Sequence, residues 1–121
     1  MARLSDITNP IFREYTPILN RVGIELDLDL KNPITEVKNP KPLEFELKKY
    51  LEFTTVLQAT SDGNLRTTDK RIVISDRPHQ VIIKDHSAVL SPEQRQLLTS
   101  DTTSVKSRVG FGTTVTIDFL A

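Results

Sequence analysis

Gln80-Val81-Ile82-Ile83-Lys84-Asp85, then Ser91-Pro92-Glu93-Gln94, then Gly110-Phe111-Gly112-Thr113-Thr114-Val115-Thr116-Ile117-Asp118-Phe119 carry the most structural information in the chain. The first run is rich in β-branched residues and closes on an acid, as a strand ending in a turn does. Ser91 with Gln94 three residues later and Pro92 between them matches a capping box with proline at the first helical position, which predicts a short helix over Pro92 to Leu98. Val109 opens a glycine-containing turn into a last strand from Thr113 to Leu120, with Val115, Ile117 and Phe119 on one face. Thr99 to Ser107, between helix and turn, is polar without a period and is expected as a mobile loop.

Working backwards, Leu65 to Ser75 reads as a strand, strongest at Arg71-Ile72-Val73-Ile74, and Asp76-Arg77-Pro78-His79 is turn chemistry, so this strand and the Gln80 run are expected to form an antiparallel hairpin. A helix begins near Pro40 or Pro42 and runs to about Ala59, with Leu43, Leu47, Tyr50, Leu51, Thr54 and Leu57 as its buried stripe and Ser61-Asp62-Gly63-Asn64 ending it. Lys31 to Lys41 is a Pro- and Asn-rich loop with a short extended piece at Ile34 to Val37. Ile24, Leu26, Leu28 and Leu30 alternate with Glu25, Asp27 and Asp29, the pattern of a strand with one wet face. Before it, Ile11, Phe12, Tyr15, Ile18, Leu19 and Val22 recur at helical spacing over Pro10 to Val22. Asp6 to Asn9 offer caps for that helix, Pro10 suits its first turn and Gly23 its left-handed exit, while Pro17 sits awkwardly in its interior.

Helix, strand, helix, two strands, short helix and strand make an α+β chain, a two-layer α/β sandwich with helices on one face of a mixed, mostly antiparallel sheet. At 121 residues, residues 1–121 are expected to form a single domain, and Met1-Ala2-Arg3 running directly into a domain start is compatible with excision from a longer protein. Sixteen basic and sixteen acidic residues cancel, which removes any global electrostatic reason for nucleic acid as a partner. The chain has no cysteine, so disulfides, thiolate metal sites and a cysteine nucleophile are excluded. Without a long apolar run or signal-peptide pattern, no membrane insertion is expected and the cytoplasm is the default location.

Glu14-Tyr15-Thr16-Pro17-Ile18-Leu19 followed by Gly23-Ile24-Glu25-Leu26-Asp27-Leu28 resembles the opening of the catalytic and ATP-binding domain of sensor histidine kinases, where a helix with an internal proline ends in Gly-Ile and feeds an alternating strand. The resemblance continues through Pro42 to Thr60, the place of the family's Asn-bearing helix, through Val81 to Asp85, and through the Gly110-Phe111-Gly112-Thr113-Thr114 turn, similar to the family's last Gly-x-Gly-Thr hairpin. It covers nearly the whole chain by pattern more than by identity.

The resemblance implies an ATP site, and the departures from it are concentrated there. The family's second helix supplies an Asn to the magnesium that bridges the phosphates; aligning Gln58-Ala59-Thr60 with the usual ending puts Thr55 there with Leu51 one turn earlier, and a shift by one residue puts Val56 there with Glu52 earlier. Neither register supplies both the Asn for magnesium and the Glu, His or Asn that, one turn earlier in the family, assists phosphoryl transfer. The adenine strand of the family ends in Asp-x-Gly-x-Gly; Asp85 is retained as the residue through which a vestigial adenine contact would survive, but Ser87 and Val89 stand in place of the glycines. The phosphate-cradling glycine segment has no counterpart between Leu98 and Val109, and the lid and its following helix are expected to be missing.

His86, His79, the acids Glu25, Asp27 and Asp29, and the basic groups Lys48-Lys49 and Lys38 to Lys41 read as solvated turn, edge-strand and helix-face residues rather than as a base, a metal cage or an anion site. No catalytic residue, metal ligand or cofactor is expected; ATP with magnesium is the disfavoured alternative. The resemblance implies a non-catalytic ATPase-like domain of a two-component signalling protein, acting by protein-protein interaction or as a phosphotransfer scaffold without ATP hydrolysis. Its partner would be a helical dimerisation domain or a response regulator. The alternatives are a divergent kinase domain that still binds ATP and an unrelated small α/β interaction protein.

Overall fold

The computed structural model describes residues 2–60 and 70–119. Its elements in chain order are β1 (Ala2–Arg3), α1 (Leu4–Arg21), β2 (Glu25–Asp29), β3 (Glu36–Val37), α2 (Pro40–Thr60), β4 (Arg71–Arg77), β5 (Gln80–Asp85), α3 (Pro92–Leu98), β6 (Thr103–Arg108) and β7 (Gly112–Asp118). The turn expected at Ser61 to Asn64 and the strand start expected at Leu65 lie outside the described residues.

The helix α1 starts six residues before the expected Pro10. Periodicity continues upstream as Leu4, Ile7 and Thr8, all buried, but the N-terminal N–H groups of a helix need partners that local sequence alone does not supply. Tertiary structure supplies them: β1 pairs antiparallel with β3, Leu4 N donates to Thr35 O at 2.7 Å and Ser5 N to Pro33 O at 2.9 Å. Asp6 serves the helix start by accepting from Arg3 N at 3.2 Å. Both Pro10 and Pro17 are therefore interior. Each removes a helix hydrogen bond, a cost of about 3 kcal/mol in an exposed helix, which burial of Leu4, Ile7, Ile11, Tyr15 and Leu19 offsets. The helix ends as expected on Gly23, with φ +82° and Ile24 N bonded to Leu19 O at 3.0 Å.

The main sheet runs β2-β4-β5-β7-β6. Only β2 and β4 are parallel, so the link between them must cross over the sheet, and α2 is that crossover. With α1 packed beside it, α2 forms the helical layer on one face. Three cross-strand rows cover that face. Leu28, Ile74, Ile83, Val115 and Val105 make the central, apolar row. Asp76, Val81, Ile117 and Thr103 make the row at one end; Leu26, Ile72, Asp85, Thr113 and Ser107 make the row at the other, which turns polar at β5.

Two expectations are corrected here. Thr103 to Arg108, which takes in the second half of the expected mobile loop and one residue beyond it, is the edge strand β6, whose polar inward residues have specific partners: Thr103 Oγ1 donates to Glu46 at 3.1 Å and Ser107 Oγ accepts from Leu90 N at 2.7 Å. Its open edge is closed at both ends, by Ser100 bonded reciprocally to Thr103 and by Arg95 donating to Ser107 O at 3.3 Å, which blunts edge pairing. Asp76 belongs to β4 and not to the turn; it is buried and accepts the N–H groups of Lys31 and Asn32 at 2.7 and 3.0 Å, fastening the chain that leaves β2. The turn itself is Pro78-His79, with His79 at φ +63°. The α3 capping box forms as read, with Gln94 N donating to Ser91 Oγ at 3.2 Å and Ser91 N to Gln94 Oε1 at 2.9 Å.

Gly112 opens β7 at φ +83°, and a Cβ there would stand 2.4 Å from the carbonyl oxygen of Asp85. Gly112→Ala is expected to destabilise the fold by at least the 1–3 kcal/mol, roughly, that a strained positive φ costs, read as a lower urea midpoint. Gly110→Ala, with φ +87° and no neighbour within 4 Å, is the milder control.

Candidate functional site

The polar end row of the sheet meets the C-terminal half of α2 at Asp85. Tyr50 and Thr54 are one turn apart on the buried stripe of α2, so both hydroxyls reach the same place. Tyr50 OH donates to Asp85 Oδ2 at 2.5 Å and Thr54 Oγ1 to the same oxygen at 2.9 Å. The other oxygen, Oδ1, accepts from Ser87 N at 2.8 Å and from the Ser87 hydroxyl. A carboxylate offers about four acceptor positions, and protein donors occupy four here. Asp85 is 1% exposed, and Ser87 and Thr54 are wholly buried.

A second chain of hydroxyls extends the cluster across the sheet. Thr113 Oγ1 donates to Ala88 O at 2.9 Å and therefore accepts from Ser107 Oγ, also 2.9 Å away, while Ser107 accepts from Leu90 N. Each hydroxyl thus gives its one proton and receives another. Gln58 Nε2 donates to Ser87 O at 3.3 Å. The connection from Asp85 to Leu90, where the family resemblance places the rim of an adenine site, is held by side chains of α2, β6 and β7.

Neither register considered from the sequence points its residues at Asp85. Leu51 is in the core, Thr55 bonds back to Leu51 O at 2.7 Å, Glu52 accepts from Tyr15 OH at 2.7 Å, and Val56 is 61% exposed. The residues that do face it, Tyr50 and Thr54, read from sequence only as part of the buried stripe. The available signal was a tyrosine within an aliphatic stripe, since a buried phenol needs a partner. Ser87, singled out as a glycine replacement, adds the hydroxyl that a glycine would lack; Val89 stands at the surface, 38% exposed.

The other candidates are scattered. His79 is exposed at the hairpin turn, its ring stacked on Phe119 at 6.5 Å, and His86 is half-buried with its backbone N–H bonded to Arg71 O. Glu25, Asp27 and Asp29 lie along the edge strand β2. Lys48 pairs with Glu44 at 3.3 Å on the surface of α2. Among the described residues no three His, Cys, Asp or Glu side chains converge on a point that could hold a metal. No helix among them is long and apolar enough to cross a membrane.

Burial, and after it the charge of Asp85 and the bond to it, hold the Tyr50 phenol well above its ordinary pKa of 10. Burial and the hydrogen bond to Glu52 push Tyr15 up as well. These are the only two tyrosines in the chain. Phenols in the unfolded chain lose their protons near pH 10 while the folded chain keeps them, so stability falls as pH rises above that value, by up to about 1.4 kcal/mol per pH unit for buried Tyr50. Absorbance at 295 nm is expected to show no phenolate step at pH 10 in the folded protein, and both tyrosines ionising together on alkaline unfolding. Tyr50→Phe leaves Asp85 one donor short without access to water, and is expected to cost about 1–3 kcal/mol in urea denaturation.

No family model matches the chain, and no curated protein does. Solved structures do match in fold. The chain is similar to the cytoplasmic segment of histidine kinase QseC, with a TM-score of 0.64 at 13% identity, covering 99% of this chain and 72% of that one. It is similar to the Acinetobacter baumannii histidine kinase AdeS, with a TM-score of 0.62 at 11% identity, covering 98% of this chain and 66% of that one. The fold of this chain is the histidine-kinase ATPase-like α+β sandwich.

Proposed function

We propose that the chain is a non-catalytic ATPase-like module of a two-component signalling protein, which works in the cytoplasm through protein-protein contacts or as a phosphotransfer scaffold. The observation that carries this reading is the occupation of Asp85: all four of its acceptor positions are taken by Tyr50, Thr54 and Ser87. An adenine amino group could bond to Asp85 only by displacing a buried donor, leaving that donor unpaired at a cost of about 1–3 kcal/mol. In this reading the retained Asp85 anchors α2 rather than serving a nucleotide.

The surroundings favour the same conclusion. Phosphoryl transfer depends almost wholly on positioning and on stabilising charge on the phosphates. Here α3 passes to β6 through Thr99–Thr102, a connection without a glycine to cradle phosphate. Neither Thr55 nor Val56, the residues that the two registers put at the magnesium position, carries the carboxamide oxygen that would ligate the ion there. A helical dimerisation domain or a response regulator is the kind of partner such a module would meet.

The test is nucleotide titration. The melting temperature of the chain is expected to stay constant with ATP or ADP and magnesium up to several millimolar. A ligand at roughly 100 times its Kd adds about 2.7 kcal/mol, a rise of several degrees for a domain of this size. Stabilisation of that order below 1 mM, roughly, abolished in Asp85→Asn as judged by calorimetric binding to folded protein, would establish the ATP-binding alternative instead.

A further inference from the structure

The helix α2 carries exposed apolar residues on the side opposite its core stripe. The core stripe is Leu43, Leu47, Tyr50, Leu51 and Thr54. Directly opposite, at 100° per residue, stand Phe45, Lys49, Glu52 and Val56. Phe45 is 63% and Val56 61% exposed, which is expensive surface for a helix that faces only water. The spacing of these four is 4, 3 and 4 residues, that of the seam along which two helices pack.

The seam is also self-complementary. Its ends are apolar and its middle carries one cation and one anion. Lys49 has no ion pair among the described residues, whereas its neighbour Lys48 is paired with Glu44 at 3.3 Å. Glu52 spends Oε1 on Tyr15 and keeps Oε2 for another donor. An antiparallel two-fold arrangement lays Phe45 against Val56 of a second copy and Lys49 against Glu52 of that copy, each contact occurring twice. A parallel arrangement would oppose Lys49 to Lys49 and Glu52 to Glu52, so charge selects the antiparallel register.

We propose that this outer seam of α2 is a homodimer interface, in which two copies of the chain pack their α2 helices antiparallel with Lys49 bridged to Glu52 of the other copy. The proposal is independent of whether nucleotide binds. The seam spans about 17 Å at 1.5 Å per residue, so the contact belongs to the small interfaces and the dimer to the micromolar range, weakened by salt.

Sedimentation of the full chain from roughly 10 to 500 µM in low salt tests it. The expected result is a mass that rises from monomer to dimer over this range, an at least tenfold weaker dimer in Lys49→Glu, and none in Phe45→Glu. The double variant Lys49→Glu/Glu52→Lys, which exchanges the two charges, is expected to recover the dimer. Phe45 and Lys49 lie outside the core, so those two variants decide the question on folded protein even if loss of the Tyr15 bond unfolds the double variant. A chain that remains monomeric throughout overturns the proposal. So does a dimer indifferent to Phe45→Glu and Lys49→Glu, or a folded double variant that stays monomeric.

Discussion

A buried acid must be fully hydrogen-bonded, and Asp85 meets that requirement by binding three parts of the chain to one another. Its Oδ2 ties β5 to α2 through Tyr50 and Thr54; its Oδ1 ties β5 to the segment that leads to α3 through Ser87. An unsatisfied carboxylate in this position would cost several kcal/mol, a large share of the stability of a domain this small. Position along the helix, sheet register and the path of the 86–90 segment are consequently set together. The proposed function rests on the same residue, whose acceptor positions are all taken within the chain.

The backbone of Asp85 is constrained as tightly as its side chain. Gly112 approaches its carbonyl oxygen at a distance that no side chain tolerates, and Thr113, next along β7, begins the hydroxyl chain through Ser107 to Ala88 and Leu90. The final Gly-x-Gly-Thr turn is thus part of the lock at the polar end of the sheet. The phenol of Tyr50 and the four hydroxyls of Thr54, Ser87, Ser107 and Thr113 fill this end of the sheet.

Most of the frame was legible without coordinates. The antiparallel β4–β5 hairpin, α2 with its buried stripe, the capped α3, the exit of α1 on Gly23 and the β7 face of Val115 and Ile117 all follow from period, turn chemistry and capping. The start of α1 was not legible, because its first N–H groups are satisfied by Pro33 and Thr35, some thirty residues away in sequence. Nor was β6: a strand whose inward residues are Thr103, Val105 and Ser107 shows almost no hydrophobic alternation, and only pairing with β7 and bonds to Glu46 and Leu90 make it one. Asp76 carries the composition of a turn, yet its place in β4 makes it the clamp for Lys31 and Asn32.

Legible in the sequence alone were the α+β class, the order of the elements other than β1 and β6, and the location of the informative residue, Asp85 at the end of β5. Those are local properties, encoded in side-chain period, glycine and proline placement and caps. What Asp85 does was decided only by tertiary structure. Tyr50 and Thr54 lie 35 and 31 residues away along the chain, and no pattern within either segment says that the hydroxyls of one will fill the acceptors of the other. Hydrogen-bond saturation belongs to packed neighbours, so the difference between an open ligand site and a closed structural lock appears only once α2 lies across the sheet.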